Sequence, residues 1–185
     1  MILGIDNGLD GGIVALSPME GVQPIAKVVL PTLKVHYQAR YNAKGKMTAK
    51  AKTRREIDPR ALCVILNGLN STPENTEVYF EECPEHADRA ATMRSMAMSA
   101  GKIISILEAK GYEVNRIMSY DWHPVILGKI PKGQSKTMAR AKAAELWPDE
   151  NWLATDRSTT THDGLIDAAL IAEFGRRKLY PKPTN

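Results

Sequence analysis

Four acidic side chains stand where a folding chain has little use for charge. Asp6 ends the apolar run that starts at Met1, and Glu81 follows Val78-Tyr79-Phe80. Asp163 and Asp167 open and interrupt a segment that is otherwise apolar from Leu165 to Ala172. A carboxylate beside a buried strand or inside a buried helix costs free energy unless something pairs with it. Asp163 and Asp167 are four residues apart, a spacing that stacks both on one helix face, where like charges repel. A cation between them turns that repulsion into attraction. The set offers oxygen donors only, which suits Mg²⁺ or Mn²⁺ and not Zn²⁺, for which Cys63, Cys83 and the histidines are wrongly placed. Two such ions about 4 Å apart activate a water and stabilise the leaving oxygen of a phosphodiester.

Each acid except Asp167 also has a plain structural role open to it. Asp6 can begin the Asn7-Gly8 turn by bonding its own backbone. Glu81 and Glu82 can mark the point where a strand reaches solvent, and alternation lets only one of them share a face with Asp6. Asp163 suits a helix N-terminus through the helix dipole. His162 is either a ligand or proton-transfer group or an exposed cap. Asp167, set among Leu165, Ile166, Ala168, Ala169, Leu170 and Ile171, has no such alternative.

The elements that must position these groups follow from local pattern. Ile2 to Asp6 and Gly11 to Leu16 read as two strands, joined through Asn7-Gly8-Leu9-Asp10, residues that tolerate positive φ. Pro24 to Leu30 is a third strand, closed by Pro31. Asp58-Pro59 is an N-cap followed by proline at the first helical position, and Leu62, Ile65, Leu66 and Leu69 continue that helix. Val78 to Phe80 is a strand, a long helix runs from about Ala87 to Lys110, and Gly111 stops it. Glu113 to Met118 is a fifth strand. Tyr120 to Leu127, Ser135 to Trp147 and a last segment from Thr161 to about Lys178 are helices. Antiparallel strands first and crossovers later imply a mixed sheet with helices on both faces.

Basic residues gather in two places. Lys129, Lys132, Lys136 and Arg140 surround the start of the helix at Ser135, where cations and backbone amides together suit phosphate; a solvated helix face is the alternative. Between Lys34 and Arg60 stand nine Lys and Arg residues against Glu56 and Asp58. The stretch from about 35 to 55 has no clear period and reads as a mobile basic arm that clamps DNA, with Lys44, Lys46, Arg54 and Arg55 as contacts. Tyr120 and Trp122 could stack on bases, though core packing suits both better.

The whole chain sets bounds. Its 185 residues, 43% hydrophobic, suit one domain spanning 1–185 with an ordinary core. No apolar run reaches the ~18 residues of a membrane span, and the start lacks the basic and apolar regions of a signal peptide. Two cysteines without metal-ligand spacing suit free thiols in a reducing cytoplasm. The net charge of +4 is modest, but its uneven spread favours a polyanionic partner.

Three of these segments resemble one family. Gly4-Ile5-Asp6-Asn7-Gly8 is similar to the Gly-Ile-Asp-Pro-Gly opening of RuvC Holliday junction resolvases. Val78-Tyr79-Phe80-Glu81 resembles the family's strand ending in a catalytic Glu, and His162 to Ala168 resembles its C-terminal acidic helix, particularly in the phage-encoded branch. The resemblance spans nearly the whole chain. It implies an α/β, RNase H-like fold with a mixed five-stranded sheet, and a catalytic, metal-binding set of Asp6, Glu81, Asp163 and Asp167, with Mg²⁺ or Mn²⁺, two per site. It further implies a homodimer making paired nicks across branched DNA in the (host) cytoplasm, with Lys132 and Lys136 resembling DNA-binding lysines. The dimer would form through the helix bearing Ser99, Ala100 and Gly101, although Met93, Met96 and Met98 there suit core packing. Asn7 replaces the family's usual Pro, and the last acids are four apart instead of three, which leaves open whether Asp163 or His162 completes the site; Glu82 is a reserve for Glu81.

Other classes fit less well. Sugar kinases and actin-like ATPases share an Asp and Gly-rich hairpin, but repeat their domain and have no use for the acidic last helix. A non-catalytic junction-binding protein has no reason to keep Asp6, Glu81 and Asp167 together. A nuclease acting on flaps or forks remains a rival that fold cannot separate.

Overall fold

A computed structural model describes residues 1–83 and 90–181. Five strands form the central sheet: β1 (Ile2–Ile5), β2 (Gly12–Leu16), β3 (Ala26–Val29), β8 (Glu77–Glu81) and β9 (Val114–Ile117), in the order β3-β2-β1-β8-β9. β1 pairs antiparallel with β2 and parallel with β8, and β9 continues the parallel half. The sheet is mixed, as the order of elements implied.

Helices cover both faces. α1 (Pro59–Gly68) and α2 (Ala90–Ala109) pack on one; α3 (Ser119–Ile126), α4 (Ser135–Leu146) and α5 (Asp163–Leu179) pack on the other. The side-chain alternation of β1 sorts the two cores. Leu3 and Ile5 join Phe80, Leu62 and Ile103 beneath α1 and α2, whereas Ile2 joins Tyr79, Trp122 and Leu170 beneath α5. Asp58 caps α1 as expected, accepting from the amides of Arg60 (3.0 Å) and Ala61 (3.1 Å). The expected start of α2 at 87–89 lies outside the described residues. Among the described residues no helix is long and apolar enough to cross a membrane.

α5 lies unusually close to the sheet because both surfaces lack side chains at the crossing. A Cβ on Gly4 would stand 2.0 Å from the carbonyl oxygen of Ala168, and one on Gly164 would stand 2.2 Å from that of Asp10. Gly11 and Gly164 form a backbone bridge there. These contacts seat the N-terminus of α5 against the turn after β1.

Three expectations are corrected. The segment from about 35 to 55 is not a patternless loop. It is a ribbon, in which β4 (Thr32–Tyr37) pairs with β7 (Lys52–Ile57), and β5 (Arg40–Tyr41) with β6 (Met47–Ala49). The period of two was present in Leu33, Val35 and Tyr37, which are half-buried between exposed Lys34 and His36, but the basic composition hid it. The turn after β1 closes with no left-handed residue, since none of Asn7 to Asp10 has positive φ; Asp6 N–H donates to Gly12 O at 3.1 Å and Gly11 N–H to Gly8 O at 3.2 Å. Finally, Met93, Met96 and Met98 are not core: α2 buries only Ser99, Ile103, Ile104 and Leu107.

Gly4→Ala must drive α5 off β1, and we expect it to lower the unfolding free energy measured in urea by several kcal/mol or to prevent folding. Gly68→Ala, at a helical position with open space around it, should raise stability by about 0.5–1 kcal/mol. Equal effects from the two substitutions would contradict this account of the crossing.

Candidate active site

Alternation decides which acids meet. Asp6 follows Ile5 and so turns to the α5 side of the sheet, and Glu81, one residue past Phe80, turns to the same side at the end of the neighbouring strand. α5 brings Asp167 against both. Each of the three is partly buried; Asp6 feels the charges of Asp167 and Glu81, and Asp167 that of Glu81. Loss of solvent, then Asp167 and Glu81, hold Asp6 well above the usual carboxylate range. Burial, then Glu81 and Asp163, push Asp167 up to about 7. Burial also raises Glu81, against the hydrogen bond that its Oε1 accepts from Trp122 Nε1 at 3.0 Å. Glu82 takes no part: it turns to the other side and pairs with Arg116 at 3.4 Å.

Asp163 belongs to a different electrostatic class. Burial acts to raise it, but Lys136 and Arg140 outweigh burial and hold it below the usual range. Lys136 Nζ lies 2.9 Å from Asp163 Oδ2, and Arg140 donates to Oδ1 through Nη2 at 2.7 Å and Nε at 2.8 Å. The first turns of α4 and α5 are thus tied by ion pairs at the rim of the cleft. Lys136 in turn feels Asp163 and is raised by it. His162 is the N-cap of α5, its Nδ1 accepting from the Leu165 amide at 3.3 Å, which is the cap reading of that residue.

The cleft holding Asp6, Asp163 and Asp167 has a volume of about 550 Å³ and is open to solvent, with Lys136 on its wall. Among the described residues no three Asp, Glu, His or Cys side chains are drawn together closely enough to hold a metal ion as they stand. The donor chemistry nonetheless fits a hard cation: three oxygen donors from three elements, mutually repelling and raised above their usual ionisation range. A divalent ion there reverses the sign of the local electrostatics.

The remaining basic residues are spread. Lys129 and Lys132 lie exposed in the loop between α3 and α4. Lys44 and Lys46 lie exposed at the far end of the ribbon. Arg54 packs over the Tyr37 ring, 6.0 Å from its centroid. Arg55 is bound at the ribbon's base, donating to Asp10 Oδ1 at 2.9 Å and Leu9 O at 2.6 Å. Tyr120 is not in the core; it is 70% exposed, while Trp122 is buried.

One residue that contacts the acidic cluster escaped the sequence. Trp122 is a core residue whose one polar atom orients a carboxylate 41 residues away, and no local pattern announces that contact. Arg140 and Lys136 were recognisable as cations on one helix turn, but their partner was not. Asn7 had a visible cue, as a polar residue at a turn. It is buried, and its Nδ2 donates to Cys83 Sγ at 3.3 Å.

No protein-family model and no curated protein matches the chain. Solved structures do. The structure of RuvC from Thermus thermophilus aligns over 99% of this chain and 99% of its own, at 13% identity and a TM-score of 0.52. RuvC from the same organism in complex with a Holliday junction substrate covers 97% of this chain and 96% of its own, at 10% identity and a TM-score of 0.49. The yeast mitochondrial Holliday junction resolvase covers 97% of this chain and 80% of its own, at 14% identity and a TM-score of 0.41. The first likeness shows that the chain has the RuvC-like, RNase H-like fold.

The raised ionisation of Asp167 has a sign that can be checked. In the folded state it holds a proton up to about 7, whereas the unfolded chain releases it near 3.9. Its contribution therefore favours folding at low pH and is lost as the pH rises through about 7. In chelator, Asp167→Asn should raise the melting temperature at pH 8.5, by on the order of 5 °C, and the gain should shrink as the pH falls below about 7 and vanish only near the unfolded value of about 4. A lower melting temperature at pH 8.5 would contradict the assignment.

Proposed function

We propose that the chain is a divalent-metal-dependent endonuclease that cuts four-way junctions and related branched DNA by phosphodiester hydrolysis. One observation carries the reading: Asp6 and Asp167 line an open cleft with Lys136 on its wall, and the charge of Glu81, from the neighbouring strand end, acts on both. A protein that only bound junctions would gain from the cations and lose stability to the carboxylates. The RuvC-like fold and the three motifs that resemble RuvC resolvases are consistent with the same chemistry.

Asp6, Glu81 and Asp167 would hold Mg²⁺ or Mn²⁺, two ions per site, with Asp163 at the rim as a further ligand. When bound, the metal supplies Lewis acidity toward the phosphodiester and makes water a nucleophile near neutral pH. The chain's own groups do the rest. Trp122 holds the Glu81 carboxylate through its indole N–H, and His162 caps the start of α5 by accepting from the Leu165 amide. Lys136 and Arg140, now engaged with Asp163, are long cations that can turn to a phosphate as it enters. Lys129 and Lys132 extend that phosphate track along the loop before α4, and Lys44 and Lys46 extend it on the ribbon. Paired nicks require two active sites, so the working form would be a homodimer. The groove that exposes Ala97 and Gly101 on α2, beside half-buried Ala100, is the surface we assign to it.

The reading is tested with a labelled four-way junction, a flap, a fork and linear duplex in Mg²⁺. We expect symmetric nicks in the four-way junction. Asp6→Asn and Asp167→Asn should each lower the rate by on the order of 10³-fold or more, because each removes a ligand of the cation that would stabilise the reacting phosphate. Both variants should still bind the junction. Asp163→Asn should cost less, since its charge is already met by Lys136 and Arg140. Binding without cleavage in Mg²⁺ or Mn²⁺ would refute the enzyme, and preferred cutting of flaps or forks would change the substrate.

A second outcome concerns Glu81. Trp122→Phe keeps the packing and removes the N–H donor, and should slow cleavage roughly tenfold while melting within a few degrees of the wild type. A rate equal to wild type would show that Glu81 is held in place without it.

A further inference from the structure

The ribbon β4–β7 is more than a source of charge. Every residue from Arg40 to Thr48 is exposed, including Tyr41 (59%) and Met47 (48%), so its outer half packs on no core. A two-stranded hairpin without a packed face is only marginally stable in water. Yet the tip is a defined turn. Asn42 Oδ1 accepts from the amides of Lys44 (3.0 Å) and Lys46 (2.9 Å), and Gly45, at φ 72°, donates to Asn42 O at 2.9 Å. The chain specifies the shape of a surface that touches nothing else in the protein.

The inner half is braced. Ile57 is in the core, Glu56 pairs with Lys102 at 2.7 Å and accepts from Tyr37, and Arg55 is tied to Leu9 and Asp10 in the turn that borders the carboxylate cleft. The ribbon therefore starts beside the cleft and carries its tip away, by up to roughly 30 Å at ~3.3 Å per residue. Along it, Lys34, Arg40, Lys44, Lys46, Lys50 and Lys52 are exposed and have no ion-pair partner among the described residues. Lys34 even stands directly opposite Arg55 across the ladder, a pairing of like charges that costs stability.

We propose that this ribbon is a groove-binding arm that lies in the major groove of a duplex arm leading away from the cut site, with Tyr41 and Met47 against the base edges. The inference rests on the nuclease reading for its substrate. The major groove admits a two-stranded β-ribbon, and its walls present phosphates to cations on both edges of the ribbon. The length of the arm corresponds to about nine base pairs at ~3.4 Å each, so its footprint falls well beyond the reacting phosphate.

The test compares the whole protein with two variants, binding linear duplex and four-way junction in chelator. One variant replaces residues 38–51 by Asn-Gly, closing the ribbon at the Tyr37–Lys52 rung; the other is Lys44→Ala with Lys46→Ala, which leaves the backbone intact. We expect the shortened variant to bind both DNAs at least tenfold more weakly. It should also lose protection of guanine N7 from dimethyl sulfate over a patch some nine base pairs from the cleavage position. The double lysine variant should lower the slope of log affinity against log salt by about 2. Unchanged affinity, slope and protection in variants that melt as the wild type does would overturn the arm while leaving the nuclease intact. Protection confined to the minor groove would overturn it as well. Failure of the wild type to bind either DNA would overturn the nuclease reading itself.

Discussion

Carboxylates repel one another more strongly as water is removed from around them, and Asp6, Glu81 and Asp167 are held together at the edge of a packed sheet. Burial acts against the ionised form of all three, and neighbouring carboxylates add to it at Asp6 and at Asp167, which is pushed up to about 7. Such an arrangement weakens the fold at neutral pH. It makes physical sense only when a partner of opposite charge is part of the working molecule. The protein supplies such a partner to Asp163, through Lys136 and Arg140, and among the described residues no ion pair meets the other three.

The rest of the architecture serves that juxtaposition. Parallel pairing of β1 with β8 puts Asp6 and Glu81 at adjacent strand ends on one face. Glycines at 4, 12 and 164 let α5 approach until its first turn meets the turn after β1, which carries Asp167 to the same place. Trp122 fills the core beneath and spends its N–H on Glu81. The ribbon is braced against the same turn through Arg55, so the arm starts beside the cleft.

Much of this could be read from the chain before folding. Period-two and 3.6-residue patterns gave the five strands of the sheet and the helices to within a few residues, because each of those elements has an apolar face to bury. Asp167 stood out because an acid inside Leu-Ile-x-Ala-Ala-Leu-Ile has no local use. The ribbon was missed for the converse reason. It buries little, its alternation is carried by Val35 and Tyr37 among lysines and arginines, and its strands are held by cross-strand bonds that composition does not reveal. The methionines of α2 misled in the same way, since apolar residues at helical spacing suggested a core that begins only at Ser99. The pairing of Asp163 with two cations, and of Glu81 with Trp122, joins residues 23 to 41 positions apart and exists only in three dimensions.

The central claim is that the three raised carboxylates form a site for a hard divalent cation. It is tested most directly by soaking crystals of the protein in Mn²⁺ and measuring the anomalous difference signal at the manganese edge. The account predicts peaks ligated by oxygens of Asp6, Glu81 and Asp167, with the three side chains drawn inward. No peak within ligating distance of any of the three at saturating Mn²⁺ would contradict it.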